Sequence, residues 1–183
     1  SRFLFELSMD SRIRMNSTRQ EGFTFEEHER WYAEKLGNRL NAIWIMEVPY
    51  GLPVGQVRYG RTLNVVYWDD RPPAWLRRQN RGWISFSCRG IRETRLGDAV
   101  NPMAAEIAIS VVPSEQRKGY ASILLRETMP WACAWLKVDT LVALVLRHNR
   151  GSRALFRKVG FRYVGAEMRM RKVHARYEWN AHP

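Results

Sequence analysis

Residues 105–136 read AEIAISVVPSEQRKGYASILLRETMPWACAWL, and the fold turns on how this stretch divides. Glu106–Val112 is an apolar run rich in β-branched residues, closed by Pro113, whose missing N–H suits the end of a strand. Ser114–Gly119 is polar, cationic and ends in glycine. From Tyr120 the apolar period changes from 2 to about 3.6. Ile123, Leu124, Met129, Ala132, Cys133 and Leu136 then fall on one broad face of a helix. Pro130 inside that helix costs about 3 kcal/mol or forces a kink, so a bend or restart is expected near Trp131. A strand, a short loop and a helix N-terminus aim free backbone N–H groups and a helix dipole at an anion. Gly119 lets the chain come close to a phosphate, and small Ala121 keeps the first turn uncrowded. A pyrophosphate-bearing cofactor is the natural guest.

Further along, Thr140–Leu146 is a second fully apolar strand, and Arg147–Phe161, RHNRGSRALFRKVGF, opens a short helix that stops at Gly160. Together the two segments resemble the cofactor-binding motifs of the GNAT superfamily of acyl-CoA-dependent N-acetyltransferases. The first motif, [QR]-x-x-G-x-[GA], is matched by Gln116, Gly119 and Ala121. The second, N-x-x-[AS]-x-x-L-[YF]-x-K-x-G-F, is matched by Asn149, Ser152, Leu155, Phe156, Lys158, Gly160 and Phe161. The resemblance is concentrated in residues 105–165, extends more loosely over 20–60, and is absent over 61–100.

What the resemblance implies is an acetyl donor, acetyl-CoA, whose pantetheine arm lies between two parallel strands that splay apart. Here these are the strands ending at Val112 and Leu146. Backbone groups of Val111 and Val112 are expected to hold the arm, and an N–H there to stabilise an oxyanion. Gln116, Arg117, Lys118, Gly119, Tyr120 and Ala121 are expected around the pyrophosphate. Asn149 is placed near the thioester, with Ser152 assisting and Phe156 beside the cofactor. An acceptor arriving as an ammonium must lose a proton, and Glu106 is the candidate base. It shares the strand parity of Ala108 and Ser110, at a position where members of the superfamily often carry that group. The alternative for Glu106 is a salt bridge, for example with an arginine of the 61–104 segment. Phe156 departs from the tyrosine that commonly protonates the leaving thiolate. Water, Tyr120 or Tyr163 are the substitutes on offer.

Size and composition agree with one α/β domain over 1–183, a mixed twisted sheet flanked by helices. No stretch is apolar for long enough to span a bilayer, and the N-terminus lacks a signal-peptide layout, so a membrane partner is not expected. Cys88 and Cys133 fit no metal spacing; no metal site and a reducing cytoplasmic home are the expectation. The net charge of +12 favours anionic partners such as coenzyme A or a phosphorylated acceptor. A codon bias toward arginine produces the same surplus. The basic residues are dispersed and no nucleic-acid motif accompanies them, which argues against nucleic acid.

In chain order, Ser1–Met9 reads as a helix, without the strand that precedes it in members of the superfamily. Thr24 and Glu27 make a capping box for a helix to Leu36, with Phe25, His28, Trp31, Tyr32 and Leu36 at helical spacing. The segment STRQEGFTFEEHERWYAEKL (17–36) is loosely similar to N-acetyltransferases acting on nucleotide-linked amino sugars. His28 is either packed beside Trp31 or a catalytic base. Ile43–Val48 and Val54–Tyr59 form a hairpin, with Gln56 and Arg58 on one face. Residues 61–104 form a long insertion before the cofactor-binding strand, with Val65–Trp68 and Trp83–Ser87 as candidate strands. Its aromatic and arginine residues either stack on a base or sugar, or its tryptophans pack on the domain or on a second subunit, which makes a homodimer possible. Phe161–Val164 and Met168–Tyr177 read as closing strands, with Arg169, Arg171 and Lys172 on a solvated face.

The resulting expectation is an acetyl-CoA-dependent N-acetyltransferase acting on a primary amine of a small molecule. A protein N-terminal acetyltransferase is one alternative. A non-catalytic module that binds an anion or nucleic acid is the other.

Overall fold

The computed structural model describes residues 1–62 and 104–181, so the two candidate strands of the insertion and Cys88 lie outside the described residues. The elements run α1 (Arg2–Met9), α2 (Ser11–Arg14), α3 (Phe25–Gly37), β1 (Asn41–Val48), β2 (Leu52–Thr62), β3 (Ala104–Val111), α4 (Tyr120–Leu136), β4 (Thr140–Leu146), α5 (Arg150–Lys158), β5 (Arg162–Arg169) and β6 (Lys172–Asn180). The strands form one sheet in the order β1-β2-β3-β4-β6-β5. Among the described strands only the β3–β4 pair is parallel; the others are antiparallel. This is the mixed, helix-flanked sheet expected.

Local chemistry accounts for most boundaries. At the start of α3 the Glu27 amide donates to the Thr24 hydroxyl at 3.2 Å, and the Thr24 amide donates to the Glu27 carboxylate at 2.8 Å. Two amides that the helix leaves without intrahelical acceptors are thereby satisfied. A 3-10 turn at Pro49–Gly51 joins β1 to β2.

The main core lies between α4 and one face of the sheet. Leu124, Leu125, Met129, Ala132, Cys133 and Leu136 pack on Val57, Tyr59, Ala105, Ile107, Leu141, Ala143 and Val145. Ile123 does not join them; it is 49% exposed. The buried stripe runs 124, 125, 128, 129, 132, 133, 136, so Ile123 falls on its margin, and the stripe includes Thr128 instead. The Thr128 hydroxyl meets the buried Tyr59 hydroxyl at 2.7 Å and the Leu124 carbonyl at 2.6 Å, which satisfies the polar atoms within this apolar layer.

Two boundaries differ from expectation. The helix α4 runs unbroken through Pro130. Pro130 and Arg126 are both exposed, so the Arg126 carbonyl that loses its partner faces water. The closing strands turn at Met170–Arg171, with φ of 48° and 58°. This is the two-residue hairpin geometry that normally calls for asparagine or glycine. Neither residue carries that signal, and the break expected between Val164 and Met168 is instead continuous β5 with a register shift between Tyr163 and Gly165.

Candidate active site

Where β3 and β4 part company, the sheet opens. Their parallel ladder covers only Ala104–Glu106 against Thr140–Val142. Beyond it β4 pairs with β6 as far as Leu146, on its other edge, while β3 pairs with β2 as far as Val111. The Val112 amide donates to the Val54 carbonyl at 2.8 Å. By antiparallel alternation the backbone groups of Ser110 and Ala108 also face β2, whereas those of Ile109 and Val111 face the gap toward β4. The pair expected to hold an extended arm is thus divided: Val111 is turned to the gap, and Val112 is taken up by β2.

At the top of the gap the chain turns into α4 through residues 113–119. Arg117 and Gly119 both adopt left-handed backbone, with φ of 65° and 90°. A Cβ built on Gly119 would meet nothing within 4 Å, so the surface above this turn is open. The Gln116 amide reaches the Pro113 carbonyl at a long 3.4 Å, and the next amide engaged is that of Ser122, on the Gly119 carbonyl. The five amides of Arg117, Lys118, Gly119, Tyr120 and Ala121 donate to no backbone carbonyl among the described residues. A run of undonated amides across a left-handed turn at a helix N-terminus has the donor set and dipole that a diphosphate requires. Coenzyme A's diphosphate and extended arm therefore fit the residues present.

Other side chains expected at this site have local partners. The Gln116 side chain donates to the Val111 carbonyl at 3.1 Å, tying the turn to the end of β3. Lys118 donates to both Glu115 oxygens at 2.9 Å, and that carboxylate raises its pKa. Arg117 is exposed, whereas Tyr120 and Ala121 are half-buried in the first turn of α4. Asn149 caps α5, its Oδ1 accepting from the Ser152 amide at 3.0 Å. Asn149 Nδ2 and the Ser152 hydroxyl engage no partner among the described residues. Phe156 is only 3% exposed and packs edge-on against Phe161, with ring centroids 5.0 Å apart. It is a core residue here.

Glu106 stands at the foot of the gap, on the sheet face opposite α4. Its Oε2 accepts from Arg169 Nη1 at 2.5 Å. Arg169 Nη2 donates to Glu167 at 3.3 Å, Arg176 Nη1 to Glu167 at 2.9 Å, and Arg176 Nε to Glu178 at 2.7 Å. Glu106 is therefore ion-paired, and its partner comes from β5. Arg169 does not belong to a solvated face; its side chain is 21% exposed. Lys172 is likewise engaged, donating to the Thr18 carbonyl at 3.0 Å. Nearby, the buried His174 has Nδ1 3.0 Å from the Lys172 carbonyl and Nε2 3.0 Å from the Thr18 hydroxyl. Since a carbonyl only accepts, Nδ1 carries the proton and Nε2 accepts from threonine. Burial pushes this imidazole's pKa down, against the pull of the Lys172 carbonyl.

On β2, Arg58 lies on the same face as Glu106 and stacks over the Trp31 ring, 4.8 Å from its centroid. Burial lowers its pKa and the charge of Glu106 opposes that shift. His28 is packed rather than presented: it is 2% exposed, among Phe5, Phe23, Phe25, Trp31 and Tyr32. Sequence reasoning missed Arg169 and the stacking of Arg58, and the only cue was the strand parity of Arg58. Among the described residues no His, Cys, Asp or Glu group could hold a metal ion, and no helix is long and apolar enough to cross a membrane.

A family model described as an acetyltransferase (GNAT) domain matches residues 4–162. No curated protein sequence matches the chain. Among solved structures, the spermidine N-acetyltransferase from Vibrio cholerae, in complex with CoA and spermine, aligns with a TM-score of 0.67 at 16% identity, over 98% of this chain and 88% of that one. The aminoglycoside acetyltransferase AAC(6')-Ib, in complex with coenzyme A, aligns with a TM-score of 0.66 at 14% identity, over 98% and 88% of the two chains. The ribosomal-protein-alanine N-acetyltransferase from Brucella melitensis gives 0.64 at 17% identity, over 98% and 93%. At these identities the likeness is one of fold.

Proposed function

The chain belongs to the GNAT acetyltransferase family, and from that premise we propose that it moves an acetyl group from acetyl-CoA to a primary amine of a small molecule. The observation that carries the donor side is the run of undonated amides at 117–121, set above a strand edge that no described strand covers. Acetyl-CoA supplies the acetyl thioester. The amides of residues 117–121 and the Arg117 guanidinium hold its diphosphate, and the arm lies along the gap-facing edge of β3 at Ile109 and Val111. The Val111 N–H is also the donor for an oxygen on which charge develops. Asn149 Nδ2 and the Ser152 hydroxyl complete the polar lining near the strand ends.

On the acceptor side, Glu106 takes the proton that an ammonium must lose. Arg169 engages one carboxylate oxygen, Oε2, which leaves Oε1 for the acceptor. With phenylalanine at 156, water protonates the departing thiolate; a thiol with a pKa of about 8.5 leaves without a dedicated acid. Structural neighbours acting on spermidine and aminoglycosides support a small-molecule acceptor. The similarity of residues 17–36 to enzymes acting on nucleotide-linked amino sugars makes amino sugars the first class to test. The experiment is an amine panel that follows free thiol release. Turnover of small amines supports the reading. CoA binding without turnover of any amine, or turnover of peptide N-termini alone, overturns it.

A further inference from the structure

We infer that Arg58 is an acceptor-recognition residue and that the acceptor carries an anionic group, phosphate or carboxylate, a short distance from its amine. The inference rests on the reading of the Glu106 face as the acceptor side. The carboxylates that β3, β5 and β6 place on that face are already engaged: Glu106 by Arg169, Glu167 by Arg169 and Arg176, and Glu178 by Arg176. Arg58 differs from Arg169 and Arg176, the other half-buried guanidiniums on that face. It makes no hydrogen bond and no salt bridge among the described residues, and its contact is the Trp31 ring. A half-buried guanidinium whose five donors find no partner among the described residues is costly to keep, and ring stacking offsets only part of that cost. Its flat fork matches a carboxylate or phosphate in a bidentate geometry, and the indole holds the fork in place.

The position relative to the base sets the shape of the acceptor. Arg58 is opposite Ala108, and Gly60 is opposite Glu106. Arg58 and Glu106 are therefore diagonal neighbours on one face, about 7–8 Å apart at the backbone. Glycine at 60 places no side chain between them. An acceptor whose amine meets Glu106 while its anion meets Arg58 spans a comparable distance. A polycation, by contrast, finds the carboxylates of β3, β5 and β6 on this face already held by Arg169 and Arg176, apart from the open oxygen of Glu106.

The test compares matched acceptors in the thiol-release assay: glucosamine 6-phosphate against glucosamine, 6-aminohexanoate against hexylamine, and spermidine. The wild-type protein is expected to favour the anionic member of at least one pair by tenfold or more in kcat/KM, and the pair that responds distinguishes phosphate from carboxylate. Arg58→Met should collapse that ratio toward unity through KM, and Arg58→Lys should fall between. A preference for glucosamine, hexylamine or spermidine, or an unchanged ratio in Arg58→Met, overturns the inference. If no amine turns over, the transferase reading fails separately. Calorimetry with glucosamine 6-phosphate and 6-aminohexanoate then decides the anion site: binding lost in Arg58→Met supports it, and no binding to the wild type overturns it.

Discussion

The carboxylate of Glu106 on β3 is held at 2.5 Å by the guanidinium of Arg169 on β5, a strand three positions away in the sheet. The long arginine side chain spans that separation at the point where the β3–β4 ladder ends, at Glu106 and Val142. Glu106→Gln keeps the shape and a hydrogen-bond acceptor for Arg169 but removes the proton-accepting charge. Acetyl transfer at neutral pH should fall by about 10²–10⁴-fold. Acetyl-CoA affinity, measured by calorimetry, should stay within about twofold. An unaffected rate would remove Glu106 as the base.

The diphosphate site predicts a pair of substitutions with opposite outcomes. Gly119 has φ of 90° with open space around a built Cβ. Gly119→Ala therefore carries a backbone cost of about 1 kcal/mol and little steric penalty. Gly119→Glu adds a carboxylate beside five amides proposed to receive a dianion. Acetyl-CoA affinity should drop tenfold or more in Gly119→Glu and much less in Gly119→Ala. Equal binding by wild type and Gly119→Glu would refute the cofactor assignment.

Within the core, Thr128 satisfies the Tyr59 hydroxyl, and burial drives that phenol's pKa well above its usual range. Thr128→Val leaves the hydroxyl buried without its partner. Chemical denaturation should report a loss of about 1–3 kcal/mol.

Cys133 provides a reactivity test. Burial pushes its thiol up to about 11, so at pH 8 it is almost entirely protonated as well as enclosed. Peptide mapping after iodoacetamide treatment should find Cys133 unmodified in the native protein and alkylated after denaturation. Native alkylation would mean that this face of α4 opens readily.

His28 links stability to pH. Burial among aromatic rings lowers its pKa below 6.5, against a weaker opposing contact with the Ser1 backbone. Below about pH 6.5 the unfolded chain takes up a proton that the folded chain refuses. Stability is thus fully present above that pH and is lost as pH falls toward the folded-state value. His28→Phe should flatten the thermal-melt profile over that window. Among the described residues His174 contributes a slope of the same sign, because burial shifts its imidazole in the same direction.

The donor half of the site was readable from residues 105–161 because its determinants are contiguous. A β-branched run, a glycine in left-handed backbone and the start of a helix together set the undonated amides within six residues. The Asn149 cap is equally local. Even there, the backbone of Val112 was misread, since its orientation depends on the register with Val54 of β2. The hairpin at Met170–Arg171 was misplaced because its turn is imposed by strand pairing rather than by residues that favour left-handed backbone.

By itself, then, the sequence determined the strand, turn and helix that form a phosphate-binding end, since local backbone preference and hydrophobic period suffice for that. Tertiary structure alone decided what surrounds Glu106. The strand order β3-β4-β6-β5 carries Arg169 to it, and α3 lays Trp31 under Arg58. These meetings join residues far apart in the chain, so they follow from how the sheet is assembled and from no pattern within a single segment.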